Sequence, residues 1–161
     1  MVSPAIICVD DQPDVLAAVR RDLEPLAALT QLLTATSADE AWELAEDSDA
    51  SGHPVAVVVT DQVMPGGDGV GLLKRLQADS RFRHVRTCLL TGQATHADTI
   101  EAINVAQVGR YVEKPWQGDR LLQAVSALFT QWLLEESGED YQPFMAILDQ
   151  DLLREHLHRG G

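Results

Sequence analysis

The sequence predicts a doubly wound α/β fold: a five-stranded parallel sheet with helices on both faces, followed by a C-terminal helical extension. Three observations carry this prediction. Apolar runs and amphipathic stretches alternate five times along 161 residues. The central run, Val55–Thr60, is β-branched and apolar at successive positions, as in a strand covered on both faces. The five β-α units imply a parallel sheet, whose β-α-β crossovers are right-handed.

Each element has its own signal. Ala5–Val9 is the first strand. Pro13 opens a helix whose apolar positions Val15, Leu16, Val19 and Leu23 have helical spacing, and Pro25 ends or bends it. Leu32–Thr36 is a shorter second strand. Ser37 and Glu40 form a capping box, so the next helix starts near Ala38. Val55–Thr60 is the third strand. Leu72, Leu73 and Leu76 mark a helix between Gly69 and Asp79, and Val85–Leu90 is the fourth strand. Thr95 and Asp98 signal a helix through Ile100 and Ile103. Gly109–Val112 is a short fifth strand. Leu121, Leu122, Val125, Leu128, Phe129, Trp132 and Leu133 form a long helix. Composition changes after Glu136. Ser137-Gly138-Glu139-Asp140 reads as a turn or linker, and Phe144, Ile147, Leu148, Leu152 and Leu157 share roughly one helical face. The domain boundaries follow: 1–136 is the α/β domain, and 137–161 a linker with a short C-terminal helix.

Composition narrows the function. The apolar share of 45% supports a proper core, and the formal charge of −13 argues against direct grip on nucleic acid, which needs Lys/Arg clusters. No run reaches the ~18 apolar residues of a membrane span. Met1-Val2-Ser3-Pro4 leads straight into a strand with no basic or long apolar leader, so a cytoplasmic protein is expected. Cys8 and Cys88 sit in separate apolar runs and read as buried, reduced thiols. The histidines lack metal spacing.

The chemistry lies at the ends of the strands. Asp10–Asp11 follow the first, Asp61 the third, Thr91 the fourth and Lys114 the fifth. In the flavodoxin-like order 2-1-3-4-5, ligands sit outside the carboxyl ends of the strands, where strand order reverses between strands one and three. That crevice gathers Asp10, Asp11 and Asp61. A carboxylate can take a phosphoryl group as an acyl phosphate, but it repels the dianion it must attack. Mg2+ removes that repulsion, since it favours one or two carboxylates with waters and phosphate oxygens. Lys114 and Thr91 can pair with phosphoryl oxygens, so catalysis would be positioning and charge neutralisation. Taken singly, Asp61 fits a helix N-cap, Lys114 a surface lysine, Thr91 a turn residue and Tyr111 a packed aromatic. Their order at successive strand ends is what gives the set its meaning.

From Pro4 to Glu135 the chain resembles the receiver domains of two-component response regulators. The motifs are Asp10–Asp11, Asp61-Gln62-Val63-Met64-Pro65 with Asp68-Gly69, Thr91-Gly92, and Tyr111 with Lys114-Pro115. The resemblance implies that Asp61 is the phosphoacceptor for a histidine kinase or phosphotransfer protein. It implies Mg2+ ligation by Asp11, Asp61 and the Val63 backbone carbonyl, with Asp10 reaching the ion through water. It makes Thr91 and Tyr111 a switch pair and Lys114–Pro115 a cis bond. It places Val63 and Gln93 beside the route of attacking water. Such a domain phosphorylates itself and hydrolyses the product slowly, and is a regulator rather than a turnover enzyme.

The output is then a protein–protein contact through the face formed by the Thr95–Ile103 helix, the fifth strand and the Leu121–Leu133 helix. The downstream partner is unknown, a fused effector included. Homodimerisation through that face or through the C-terminal helix is open, as is a tail folded back on its own domain. Two alternatives belong to other classes. One is a haloacid-dehalogenase-type phosphatase, for which Asp10-Asp11-Gln12 lacks the Asp-x-Asp spacing. The other is a degenerate receiver acting only as a binding module.

Overall fold

The computed structural model describes residues 3–62, 64, 69–92, 100, 103–104 and 106–160. Five parallel strands run in the order β2-β1-β3-β4-β5: β1 Ala5–Val9, β2 Gln31–Ala35, β3 Val55–Asp61, β4 Arg86–Thr91 and β5 Arg110–Glu113. Helices α1 (Pro13–Asp22), α2 (Ala38–Ala50) and α3 (Gly69–Ala78) connect them, and a long helix spans Arg120–Glu135. Most of the helix expected from Thr95 through Ile103 lies outside the described residues.

Alternation along the strands separates two cores. Ile6, Cys8, Val57, Val59, Cys88 and Leu90 point to one face, covered by α1 and the long helix. Ala5, Ile7, Val9, Val58 and Leu89 point to the other, covered by α2 and α3. Successive apolar residues on one strand thus feed opposite cores, which explains the unbroken apolar runs. β5 is an edge strand, and only Val112 of its four residues is buried.

Helix ends follow local chemistry. α1 stops at Asp22, and Pro25 sits in a short 3-10 turn, Glu24–Leu26, as its fixed φ allows. Ser37 caps α2 by accepting the Glu40 N–H at 3.1 Å. The reciprocal half of the expected capping box is absent, because the Glu40 carboxylate accepts from the Thr36 hydroxyl at 3.2 Å instead.

Cys8 and Cys88 both pair with Val59, one from each side, so a whole strand separates them. Both are free thiols. Burial pushes each up to about 12, for Cys8 with help from the nearby Cys88, so neither is a nucleophile at neutral pH.

The C-terminal segment differs from the single helix that periodicity suggests. A 3-10 turn at Gln142–Ile147 and a terminal helix at Gln150–Gly160 are separated by Leu148, which is extended, and Asp149. The Asp149 carboxylate accepts the N–H groups of Asp151 and Leu152 at 3.0 and 3.1 Å and so caps the terminal helix. The break resets the helical phase. Leu153 is buried in place of Leu157, which is 50% exposed. Phe144, Ile147, Leu148 and Leu153 join the core on the long-helix side. The Ser126 hydroxyl donates to the Ile147 carbonyl at 2.9 Å, and the Asp149 N–H donates to the Thr130 hydroxyl at 2.8 Å.

Candidate functional site

Strand register brings the predicted residues together. Val9 pairs with Thr60, so the next residues, Asp10 and Asp61, leave the sheet side by side. Asp61 pairs with Leu90, and Thr91 with Glu113, which sets Thr91 and Lys114 on the same rim. The Lys114 N–H donates to the Thr91 carbonyl at 2.8 Å, and the Lys114–Pro115 bond is cis.

Asp10 is fully buried. Its carboxylate is held by the Gln12 N–H at 2.9 Å and by Lys114 Nζ at 3.1 Å. Asp61 is half-buried and takes a second contact from Lys114 Nζ at 2.8 Å. One carboxylate oxygen each from Asp10, Asp11 and Asp61 lie within 4.8 Å of one another. Among the described residues, three carboxylates facing one ammonium leave excess negative charge in a partly desolvated crevice. Hard oxygen donors in that arrangement fit a small divalent cation such as Mg2+. Burial, the largest influence, holds the Asp61 carboxyl above its ordinary value, aided by the Asp10 charge and opposed by Lys114. Burial pulls Lys114 down, but its hydrogen bonds and ion pairs with Asp61 and Asp10 outweigh that and leave it raised.

Gly69 is fixed by this geometry. Its N–H donates to the Gln62 carbonyl at 2.9 Å, and a Cβ there would run into the Asp61 carbonyl oxygen. Val63, Asp68 and Gln93 lie outside the described residues. Tyr111 stands apart from the acidic cluster on the edge strand and is 52% exposed. Trp116 packs against the core, and its indole N–H donates to Asp22 at 2.7 Å.

Gln62 is the residue that sequence reasoning left without a role. The Thr91 hydroxyl, only 2% exposed as a residue, donates to Gln62 Oε1 at 2.7 Å. The contact joins the residue after β3 to the last residue of β4 and depends on register, which no local pattern reveals.

A family model, the response regulator receiver domain, matches residues 6–126. The chain belongs to that family. It is 31% identical over 111 residues to chemotaxis protein CheY1 of Helicobacter pylori, covering 69% of this receiver chain and 85% of that protein. It is 33% identical over 120 residues to the hydrogenase transcriptional regulatory protein HoxA of Cupriavidus necator, covering 74% of this chain but only 23% of HoxA. For response regulator Rre1 of Synechocystis the identity is 28% over 154 residues, covering 91% of this chain and 64% of Rre1. The receiver chain thus spans about a quarter of HoxA and just under two thirds of Rre1. Among solved structures, the signal receiver domain of an HD domain-containing protein from Pseudomonas fluorescens Pf-5 superposes with a TM-score of 0.71 at 27% identity, covering 86% of this chain and 96% of that one.

Proposed function

We propose that this receiver accepts a phosphoryl group on Asp61 from a histidine kinase or phosphotransfer protein, in a Mg2+-dependent reaction. The observation that carries the reading is the approach of the Asp10, Asp11 and Asp61 carboxylates to within 4.8 Å of one another, beside Lys114. Asp11, Asp61 and the Val63 carbonyl would hold Mg2+, with Asp10 reaching it through water; the ion would supply charge neutralisation for the incoming phosphoryl oxygens. An Asp61 oxygen forms the new O–P bond as the donor's P–N bond breaks, and the departing imidazole keeps the electron pair. Lys114 exchanges its carboxylate contact for a phosphoryl oxygen. Thr91 then turns its hydroxyl to that group, and Tyr111 on the edge strand reports the change.

The output is proposed to be a protein contact at the face built on β5 and the long helix, where Tyr111 is exposed. HoxA is far longer than this chain, which favours a fused or separate effector as the downstream partner. Residues 1–136 form the phosphoacceptor unit, and 137–161 an extension attached through Phe144, Ile147, Leu148 and Leu153. Among the described residues no helix is long and apolar enough to cross a membrane, in keeping with a cytoplasmic role.

Acetyl phosphate with Mg2+ tests the reading by intact-mass spectrometry. One phosphoryl group should add to the wild type, and none to Asp61→Asn, whose amide is not a nucleophile. An unlabelled wild type would favour the binding-module alternative. Repeated turnover of phosphomonoesters would favour the phosphatase.

A further inference from the structure

The Thr91 hydroxyl is already engaged before any phosphoryl group arrives. Its 2.7 Å bond to Gln62 Oε1 has the usual length of a well-formed O–H···O bond, and Thr91 is almost fully shielded from water. Gln62 is anchored on both sides of its own Cα. Its N–H donates to the Leu90 carbonyl at 3.1 Å, and its carbonyl accepts from the Gly69 N–H at 2.9 Å. Thr91 is anchored as well, since its carbonyl accepts the Lys114 N–H at 2.8 Å. Neither backbone can drift to preserve the side-chain bond once the hydroxyl turns.

A threonine hydroxyl has a single proton to donate. While that proton goes to Gln62 Oε1, it cannot go to a phosphoryl oxygen on Asp61. We propose that Gln62 is a positioning residue, a latch that holds the Thr91 hydroxyl in the unphosphorylated arrangement and weakens the phosphorylated one. This rests on the function proposed above, because a latch acts only if Asp61 takes a phosphoryl group. Release is a rotation about the Thr91 side-chain bond. The O–H···O bond to the amide breaks, an O–H···O bond to the phosphoryl group forms, and no covalent bond changes. Gln62 is half-buried at the rim, so its amide oxygen meets water after release. The latch therefore weakens phosphoryl-state binding by about the net worth of one shielded hydrogen bond, roughly two- to tenfold in affinity.

Titration calorimetry of the full chain with beryllofluoride, a phosphoryl mimic, in saturating Mg2+ tests this. Gln62→Leu should bind beryllofluoride about two- to tenfold more tightly than wild type. Thr91→Val should bind it more weakly, and adding Gln62→Leu to Thr91→Val should change nothing further. Affinity in Gln62→Leu equal to or below wild type overturns the latch. So does a gain of the same size in the Thr91→Val background, because the effect would then bypass the hydroxyl. Thermal unfolding checks that each variant folds, and Gln62→Met provides a second removal of the amide. In the absence of ligand, three-bond couplings at Thr91 should differ between wild type and Gln62→Leu; identical couplings also count against the latch. If wild type and Asp61→Asn both fail to bind beryllofluoride, the proposed function itself falls, and the latch with it. If wild type binds and Gln62→Leu shows no gain, the latch alone falls.

Discussion

At the scale of single residues, Asp61 is a carboxylate held in the crevice at a cost in stability. Burial raises its pKa above the ordinary 3.8, with the Asp10 charge adding to the rise and Lys114 opposing it. The sign of the linkage follows. Between the unfolded value and the higher folded value, the native state keeps a proton that the unfolded chain has released. Stability therefore falls as pH rises through that window, and at neutral pH the ionised carboxylate destabilises the fold. Asp61→Asn should then melt at a higher temperature than wild type at neutral pH without Mg2+, by about 2–4 °C for each kcal/mol recovered. The advantage should shrink as pH falls through the window towards 3.8, the ordinary value. A lower melting temperature for Asp61→Asn at neutral pH would mean that the Lys114 ion pair outweighs burial.

At the scale of elements, β1 and β3 were legible as continuous apolar runs, β2 and β5 only as short apolar stretches between turn signals, and the edges of the five strands moved by only a residue or so. β2 begins at Gln31, whose N–H donates to the Pro4 carbonyl at 2.9 Å, a cross-strand bond that no local pattern announces. The Ser37 cap was legible because it is local, whereas the destination of the Glu40 carboxylate was not. The C-terminal segment was misread for a definite reason. Apolar spacing from Phe144 to Leu157 suits one helix, but Asp149 caps a new one and shifts the buried face to Leu153. Phe144, Ile147, Leu148 and Leu153 of the extension are part of the core. The Phe144 ring lies 5.7 Å from Phe129 by centroid and is 2% exposed. Phe144→Ala should cost about 3–5 kcal/mol, read as a lower urea midpoint with an unchanged slope. A loss below about 0.5 kcal/mol, the range of ordinary surface substitutions, would show that the extension does not stabilise the domain.

At the scale of the whole molecule, the site exists only because the sheet order brings strand ends together. Asp10 and Lys114 meet at 3.1 Å although 104 positions separate them. The sequence announces that each strand ends on a polar group; the parallel order 2-1-3-4-5 turns that list into a cluster. The Thr91–Gln62 bond was not legible, because it rests on how the register of β3 against β4 places Gln62, the residue after β3, beside Thr91. The cluster also sits in a chain of formal charge −13, so two kinds of cation effect must be told apart. Any salt screens general repulsion, and screening depends on ionic strength rather than on ion identity. A bound divalent ion stabilises the native state by mass action, about 2.7 kcal/mol at a hundredfold excess over Kd. At constant ionic strength, replacing Na+ by saturating Mg2+ should therefore raise the melting temperature of the wild type by about 5–11 °C. Asp11→Asn removes one of the three carboxylates and leaves the rest of the surface charge in place, so most of that rise should disappear. An equal rise in wild type and Asp11→Asn would trace the effect to ions spread over the acidic surface, and would remove the acidic cluster as the metal site.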